Sequence, residues 1–228
     1  MHRVVENELP HLSGITHIVW DWNGTLLNDN HANLAGLNGV CAAFGRDPVE
    51  LDYWRSCFRR PLIACYEDLL GRPLTGAEWA RINEIYDSHY RTALPACRLA
   101  DGAPEMLVDW TRAGGSQSLL SMAGHDALVP LIEERGLTGH FLRVDGRRYD
   151  TAEDSKAEHL AAHLEALGVD DPATVVLIGD IDDDGRAASA VGANALLVAS
   201  GMMSRERLAA TGHPVVDSPR AAMELLRR

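Results

Sequence analysis

With 228 residues, 46% of them hydrophobic, the chain is long enough to bury a substantial core, as one domain or as one domain carrying an insert. Its formal net charge of -12, with no basic patch to offset it, excludes nucleic acid and anionic membrane surfaces as partners. No apolar run is long enough to span a bilayer, and Met1–Ser13 lacks the basic and apolar blocks of a leader, so a cytoplasmic location is expected. The four cysteines, Cys41, Cys57, Cys65 and Cys97, form no C-x-x-C pair and read as reduced, mostly buried side chains rather than a zinc site.

In chain order, residues 1–14 read as a polar lead-in. The apolar, β-branched and aromatic run 16–22 predicts a buried strand. It gives out at Asp21, and Gly24 then permits a sharp bend. Asn28, Asp29 and Asn30 offer helix N-caps. From 31 to 99 the periodicity is helical, with no strand. Leu34, Leu37, Val40, Cys41 and Phe44 form one apolar stripe closed by Gly45. Further helices are predicted over 62–70 and 76–92, the second capped by Thr75 with Glu78 in its first turn. This stretch reads as an inserted α-helical unit, with a returning linker at 100–102.

Thereafter helix and strand alternate. Helices are predicted over 104–112, 126–135, 156–167 (closed by Gly168) and 186–191, with one more at the C-terminus. Strands are predicted over 116–122, 141–144, 174–178, 195–198 and 214–216. The alternation implies an α/β fold, a doubly wound parallel sheet with right-handed crossovers.

In such sheets ligands bind beyond the carboxyl ends of the strands. Asp21 stands there, as does Ser121, whose hydroxyl and the amide of Met122 suit a phosphoryl oxygen. Of the 21 basic residues all but Lys156 are arginine, which marks that position as one requiring a compact ammonium. Gly179-Asp180-Ile181-Asp182-Asp183-Asp184 follows an apolar strand and supplies the oxygen ligands a hard cation prefers. A calcium loop is rejected, because its twelfth position is Val191 rather than glutamate. His159 and His163 share a helical face and read as an exposed polar surface rather than a metal pair.

Asp21-Trp22-Asn23-Gly24-Thr25-Leu26 resembles the first motif of the haloacid dehalogenase-like (HAD) hydrolases, Asp-x-Asp-Gly-Thr. Ser121, Lys156 and the Gly179–Asp184 cluster resemble the second, third and fourth motifs in order. The layout is similar to the phosphoglycolate phosphatase-like branch. The resemblance implies a Rossmann-like core of 1–28 and 100–228 with an α-helical cap at 29–99. It implies Mg²⁺-dependent hydrolysis of a small phosphomonoester, a phosphorylated metabolite, through an aspartyl-phosphate on Asp21, by a monomer or homodimer. Asp21, Asp180 and the backbone carbonyl of Asn23 would hold the metal, with Asp184 behind them on Lys156 or a metal-bound water. Gly24, Thr25, Ser121, Met122 and Lys156 would hold the phosphoryl group. Arg59 or Arg60 would meet an anionic substrate from the cap's specificity loop.

One position departs from the pattern. The second acid of the first motif, which protonates the leaving group in these phosphatases, is Asn23. An amide cannot shuttle a proton, and losing general acid–base help costs roughly 10²–10⁴-fold. Three explanations stand. The first is a phosphatase, slowed or working on a good leaving group such as an acyl phosphate. The second is a different bond: Asp-Trp-Asn-Gly-Thr also resembles the Asp-Trp-Ala-Gly-Thr of the phosphonoacetaldehyde (C–P) hydrolases, but no cap lysine supplies their amine nucleophile. A haloacid dehalogenase is disfavoured by the retained acidic fourth motif. The third is a catalytically impaired phosphate-binding or regulatory protein, or a trapped variant.

Overall fold

The computed structural model describes residues 12–149 and 155–227. The lead-in before Leu12 and most of the loop preceding Lys156 lie outside the described residues. The core is a six-stranded, all-parallel sheet built from β1 (His17–Trp20), β4 (Ser116–Gly124), β5 (Val144–Arg147), β6 (Val175–Gly179), β7 (Asn194–Val198) and β8 (Val215–Val216), in the order β5-β4-β1-β6-β7-β8. The doubly wound α/β fold expected from the sequence is therefore present.

The strands are apolar on both faces because both faces are covered. Ile18 and Trp20 of β1, with Val176 and Ile178 of β6, point into one layer; Val19, Val175 and Leu177 point into the other. Helices α5 (Ala103–Arg112), α6 (His125–Glu134) and α10 (Pro219–Leu226) close the first layer. Helices α7 (Ala157–Leu167) and α8 (Asp182–Val191) close the second. Trp20 pairs in register with both Leu119 of β4 and Ile178 of β6. Asp21, Ser121 and Asp180 thus lie near the same edge of the sheet, where the winding reverses, with β4 running past Ser121 to Gly124 rather than ending there.

Between β1 and α5 the chain builds α1 (Asn30–Ala43), α2 (Leu51–Cys57), α3 (Leu62–Leu70) and α4 (Gly76–Ala93). These pack around Leu37, Val40, Trp54, Tyr66 and Ile82. Thr75 and Glu78 form the capping box that the sequence suggested at the head of α4. Among the described residues no helix is long and apolar enough to cross a membrane.

Several sequence expectations require correction. The stretch 31–99 does contain a strand: β3 (Arg98–Leu99) pairs antiparallel with β2 (Leu27–Asn28), clipping together the two chain crossings into the helical unit. Two residues carry no readable period, so only the pairing reveals them. Strand β5 lies at 144–147, not 141–144, because neighbouring β4 sets its register. Helix α8 starts at Asp182 rather than 186, so the acidic run is its first turn, where the helix dipole favours negative charge. A short α9 (Arg205–Ala209) was not anticipated. His159 and His163 are buried, not exposed. His163 is hydrogen-bonded to Asp145 (2.8 Å) and to Ser118 (2.8 Å), so its ring is satisfied inside the core, while His159 packs against the Tyr149 ring with centroids 4.5 Å apart. Asp29 precedes α1 but its side chain does not cap it.

Candidate active site

Asp21 leaves the end of β1 with its amide donating to the Ile178 carbonyl at 2.9 Å. Its carboxylate receives the Lys156 ammonium at 2.5 Å, and the same ammonium donates to Asp184 at 2.7 Å. Lys156 stands just before α7, fixed there by its amide, which donates to Asp183 at 3.0 Å. Its side chain, only 1% exposed, crosses beneath the strand ends. Burial alone depresses its pKa, but Asp184 and Asp21 outweigh that and raise it, so the ammonium stays charged.

Asp180 follows β6. Its Oδ2 accepts from the Met202 amide at 2.6 Å, after β7. Two glycines wall this carboxylate. A Cβ on Gly24 would lie 2.3 Å from Asp180 Oδ2, and one on Gly201 would lie 2.0 Å from it. Gly24 also has φ +72°, which disfavours any other residue. Asp184 occupies the first turn of α8, where its second oxygen accepts from the Ile181 amide at 3.2 Å. A Cβ on Gly179 would lie 2.2 Å from its carboxyl carbon.

One ligand atom each of Asp21, Asp180 and Asp184 lies within 4.8 Å of the others, all three residues buried. Three carboxylates thus face a single ammonium. Burial lifts Asp21 to about 6 against the pull of Lys156. Burial, then the Asp21 and Asp184 charges, raises Asp180 well above the carboxylate range. A buried, hard-oxygen cluster with more negative than positive charge fits a small divalent cation such as Mg²⁺.

The remaining motif residues surround this cluster. Ser121 is buried; its hydroxyl accepts from the Ala123 amide at 3.1 Å and donates to Asn23 Oδ1 at 3.4 Å. Met122 follows it on β4, half-buried. Thr25 is buried, and its hydroxyl has no hydrogen-bond partner among the described residues. From the helical unit, Arg60 approaches Asp183 at 3.9 Å. Arg59 turns back into its own loop, onto Asp68 at 2.5 Å and the Ala64 carbonyl at 3.2 Å.

Four participants were not singled out from the sequence. Asp29 accepts from the Gly24 amide (2.8 Å), the Asn23 side chain (2.7 Å) and the Tyr90 hydroxyl (2.8 Å). Tyr90 comes from α4. Gly201 and Arg55 complete the set, Arg55 donating to the Ser200 and Gly201 carbonyls at 3.0 and 2.8 Å. The only signal available was the position of Asp29 just beyond the Asn-Gly-Thr turn, and it was equally that of a cap.

The family model described as HAD-hydrolase-like matches residues 154–222. No curated protein is similar enough in sequence to be matched. Among solved structures, a haloacid dehalogenase-like family hydrolase from Streptococcus pneumoniae superposes with TM-score 0.78 at 16% identity, covering 92% of this chain and 98% of its own. A protein predicted to be a phosphoglycolate phosphatase, from Haemophilus somnus, gives 0.75 at 16%, covering 93% and 98%. Protein Tyrosine Kinase A of Mycobacterium tuberculosis gives 0.76 at 20%, covering 93% and 98%. The fold over nearly the whole chain is that of the HAD-like hydrolases, and the family model covers the stretch that carries Lys156 and Asp180.

Proposed function

We propose that this chain is a Mg²⁺-dependent phosphatase that transfers a phosphoryl group to Asp21 and then to water. The observation that carries this reading is the convergence of Asp21, Lys156, Asp180 and Asp184, far apart in sequence, on one buried point at the carboxyl edge of the sheet. A carboxylate nucleophile splits one difficult displacement into two easier ones. In this reading Asp21 attacks phosphorus, and Lys156 offsets the charge of carboxylate and phosphate together. Asp184 keeps Lys156 aimed. Ser121, with the Met122 amide and the unpartnered Thr25 hydroxyl, hydrogen-bonds the phosphoryl oxygens, and Gly24, whose amide already donates to Asp29, serves by having no side chain. Asp21, Asp180 and the Asn23 backbone carbonyl would hold Mg²⁺, which supplies charge stabilisation at the transferring group. The helical unit at 29–99 acts as a cap that excludes water and selects a small phosphorylated substrate, with Arg60 nearer the site than Arg59.

Hydrolysis of p-nitrophenyl phosphate, with and without Mg²⁺, tests the proposal. Turnover that needs Mg²⁺ and vanishes in Asp21→Ala supports it, as does a hydroxylamine-labile phosphoryl label on Asp21. Turnover that survives Asp21→Ala overturns it. The second reading, a phosphate-binding module, is favoured by one observation, the amide at position 23. It predicts no turnover of any phosphate ester or acyl phosphate with retained binding of a phosphate analogue.

A further inference from the structure

Resting on that phosphatase reading, we propose that the site acts on phosphoryl groups whose leaving group departs without a proton, acyl and aryl phosphates, and discriminates against alkyl phosphates. The reason lies in how Asn23 is held. Its amide nitrogen has two hydrogens, and both are committed. One goes to Asp29 Oδ2 at 2.7 Å and the other to the Tyr90 hydroxyl oxygen at 2.9 Å. Tyr90 in turn donates its hydrogen to Asp29 Oδ2 at 2.8 Å, and the Gly24 amide donates to Asp29 Oδ1 at 2.8 Å. The ring closes on itself, and the orientation of the amide is fixed by it: the atom facing a carboxylate must be the nitrogen. What Asn23 presents on its other side is Oδ1, toward Ser121 at 3.4 Å.

The residue two positions beyond the nucleophile therefore offers an acceptor and no hydrogen. The neighbouring hydroxyls do not replace it. Tyr90 gives its hydrogen to Asp29; Ser121, which otherwise donates to Asn23 at 3.4 Å, and Thr25 turn theirs to non-bridging phosphoryl oxygens, away from the leaving oxygen. Arg60 carries a guanidinium, which does not release a proton. In the first step an Asp21 oxygen attacks phosphorus, and the bond from phosphorus to the leaving oxygen breaks with its electron pair on that oxygen. A carboxylate or a stabilised aryloxide leaves as the anion; an alkoxide requires a proton that none of these groups is placed to give. In the second step water attacks phosphorus and the bond to Asp21 breaks. One water proton stays on the attacking oxygen and the other passes to a phosphoryl oxygen, releasing dihydrogen phosphate and the free carboxylate. Asn23 Oδ1 suits this step, because an acceptor orients the attacking water.

The test is kcat/KM in Mg²⁺ for acetyl phosphate, p-nitrophenyl phosphate, phenyl phosphate and glycerol phosphate on the unaltered protein. The expected result is a steep fall with leaving-group basicity, glycerol phosphate trailing p-nitrophenyl phosphate by at least about 10²-fold, the low end of what general acid catalysis contributes. The double variant Asn23→Asp/Asp29→Ser moves the carboxyl to position 23 without placing two acids face to face. It is expected to raise the ratio of kcat/KM for glycerol phosphate to that for acetyl phosphate by about 10²-fold, whatever it does to either alone. Turnover of all four substrates at similar kcat/KM, abolished by Asp21→Ala, overturns the leaving-group inference and leaves the phosphatase reading standing. No turnover of any substrate, or turnover indifferent to Asp21→Ala, overturns both.

Discussion

Asp180 sits in a slot that only hydrogen side chains can wall. The Gly201 contact is purely steric, since its backbone is not left-handed, and the atom it would strike is the oxygen that accepts from Met202. Gly201→Ala is therefore expected to turn the Asp180 carboxylate and weaken Mg²⁺ binding by about 10–100-fold, the usual effect of disturbing a ligand's support. Thermal stabilisation by added Mg²⁺ reads this directly, and an unchanged Mg²⁺ response would refute it. Lys156 makes the converse point. Lys156→Met removes the one cation among three buried carboxylates and should cost about 3–5 kcal/mol in denaturant unfolding without metal. His17 provides a pH signature separate from the site. Burial, with His163 nearby, lowers its pKa to about 4. The unfolded chain takes up a proton on this residue near pH 6.5 while the folded one does not, so stability is lost as pH falls from about 6.5 toward 4. Asp21, raised to about 6, acts in the opposite sense over the same range, so the contrast must be made by difference. The stability advantage of the natural protein over His17→Gln should shrink by up to about 3 kcal/mol between pH 7 and pH 4.

At the level of elements, the site is a property of strand ends held in register. Serine and histidine rows tie those elements together from behind. His17 of β1 bonds Ser116 (2.7 Å) and Ser118 (2.8 Å) of β4; Ser118 bonds His163 of α7; His163 bonds Asp145 of β5. The chain of contacts passes beneath Asp21 and Ser121 and fixes α7, whose head carries Lys156. His163→Leu leaves Ser118 and Asp145 each short of a partner. Chemical denaturation should show a loss on the order of 1–3 kcal/mol, and a neutral result would make the row ornamental. This row also explains where the sequence stopped being legible. Apolar strands such as 175–178 declare themselves, because burial on both faces leaves no polar residue, and the motifs of Asp21, Ser121 and Asp180 lie at or near strand ends while Lys156 stands at the head of α7. A polar residue at helical spacing reads as solvent-facing, so His159 and His163 were placed outside. For His163 the burial is offset by Asp145 and Ser118 on neighbouring strands, and spacing along one element carries no information about those partners. Asp29 was misread for the same reason: a carboxylate before a helix reads as its cap, and its real donors, Gly24, Asn23 and Tyr90, are spread from residue 23 to residue 90.

Across the whole molecule, the same loop serves the site and the docking of the helical unit. Residues 200–203 present Met202 to Asp180, while their carbonyls at Ser200 and Gly201 receive Arg55 from α2 and Asn30 from the head of α1. Apolar contact reinforces the grip, since Trp54 and Phe58 share a buried cluster with Ile181, Met202, Met203 and Leu208. Asp21 is 8% and Lys156 1% exposed with this seam closed. In the proposed phosphatase the helical unit would lift to admit substrate, and lifting it would release the loop that seats Asp180. Arg55→Ala removes two hydrogen bonds from a charged donor at that seam. Worth about 1–2 kcal/mol together after solvent exposure is allowed for, their loss shifts the open–closed balance by about tenfold. The expected outcome is faster amide hydrogen exchange at 200–203 and in α2, with KM rising more than kcat falls and global unfolding nearly unchanged. If exchange at 200–203 stays as slow as in the natural protein, the loop is held by the core alone and closure does not govern Asp180.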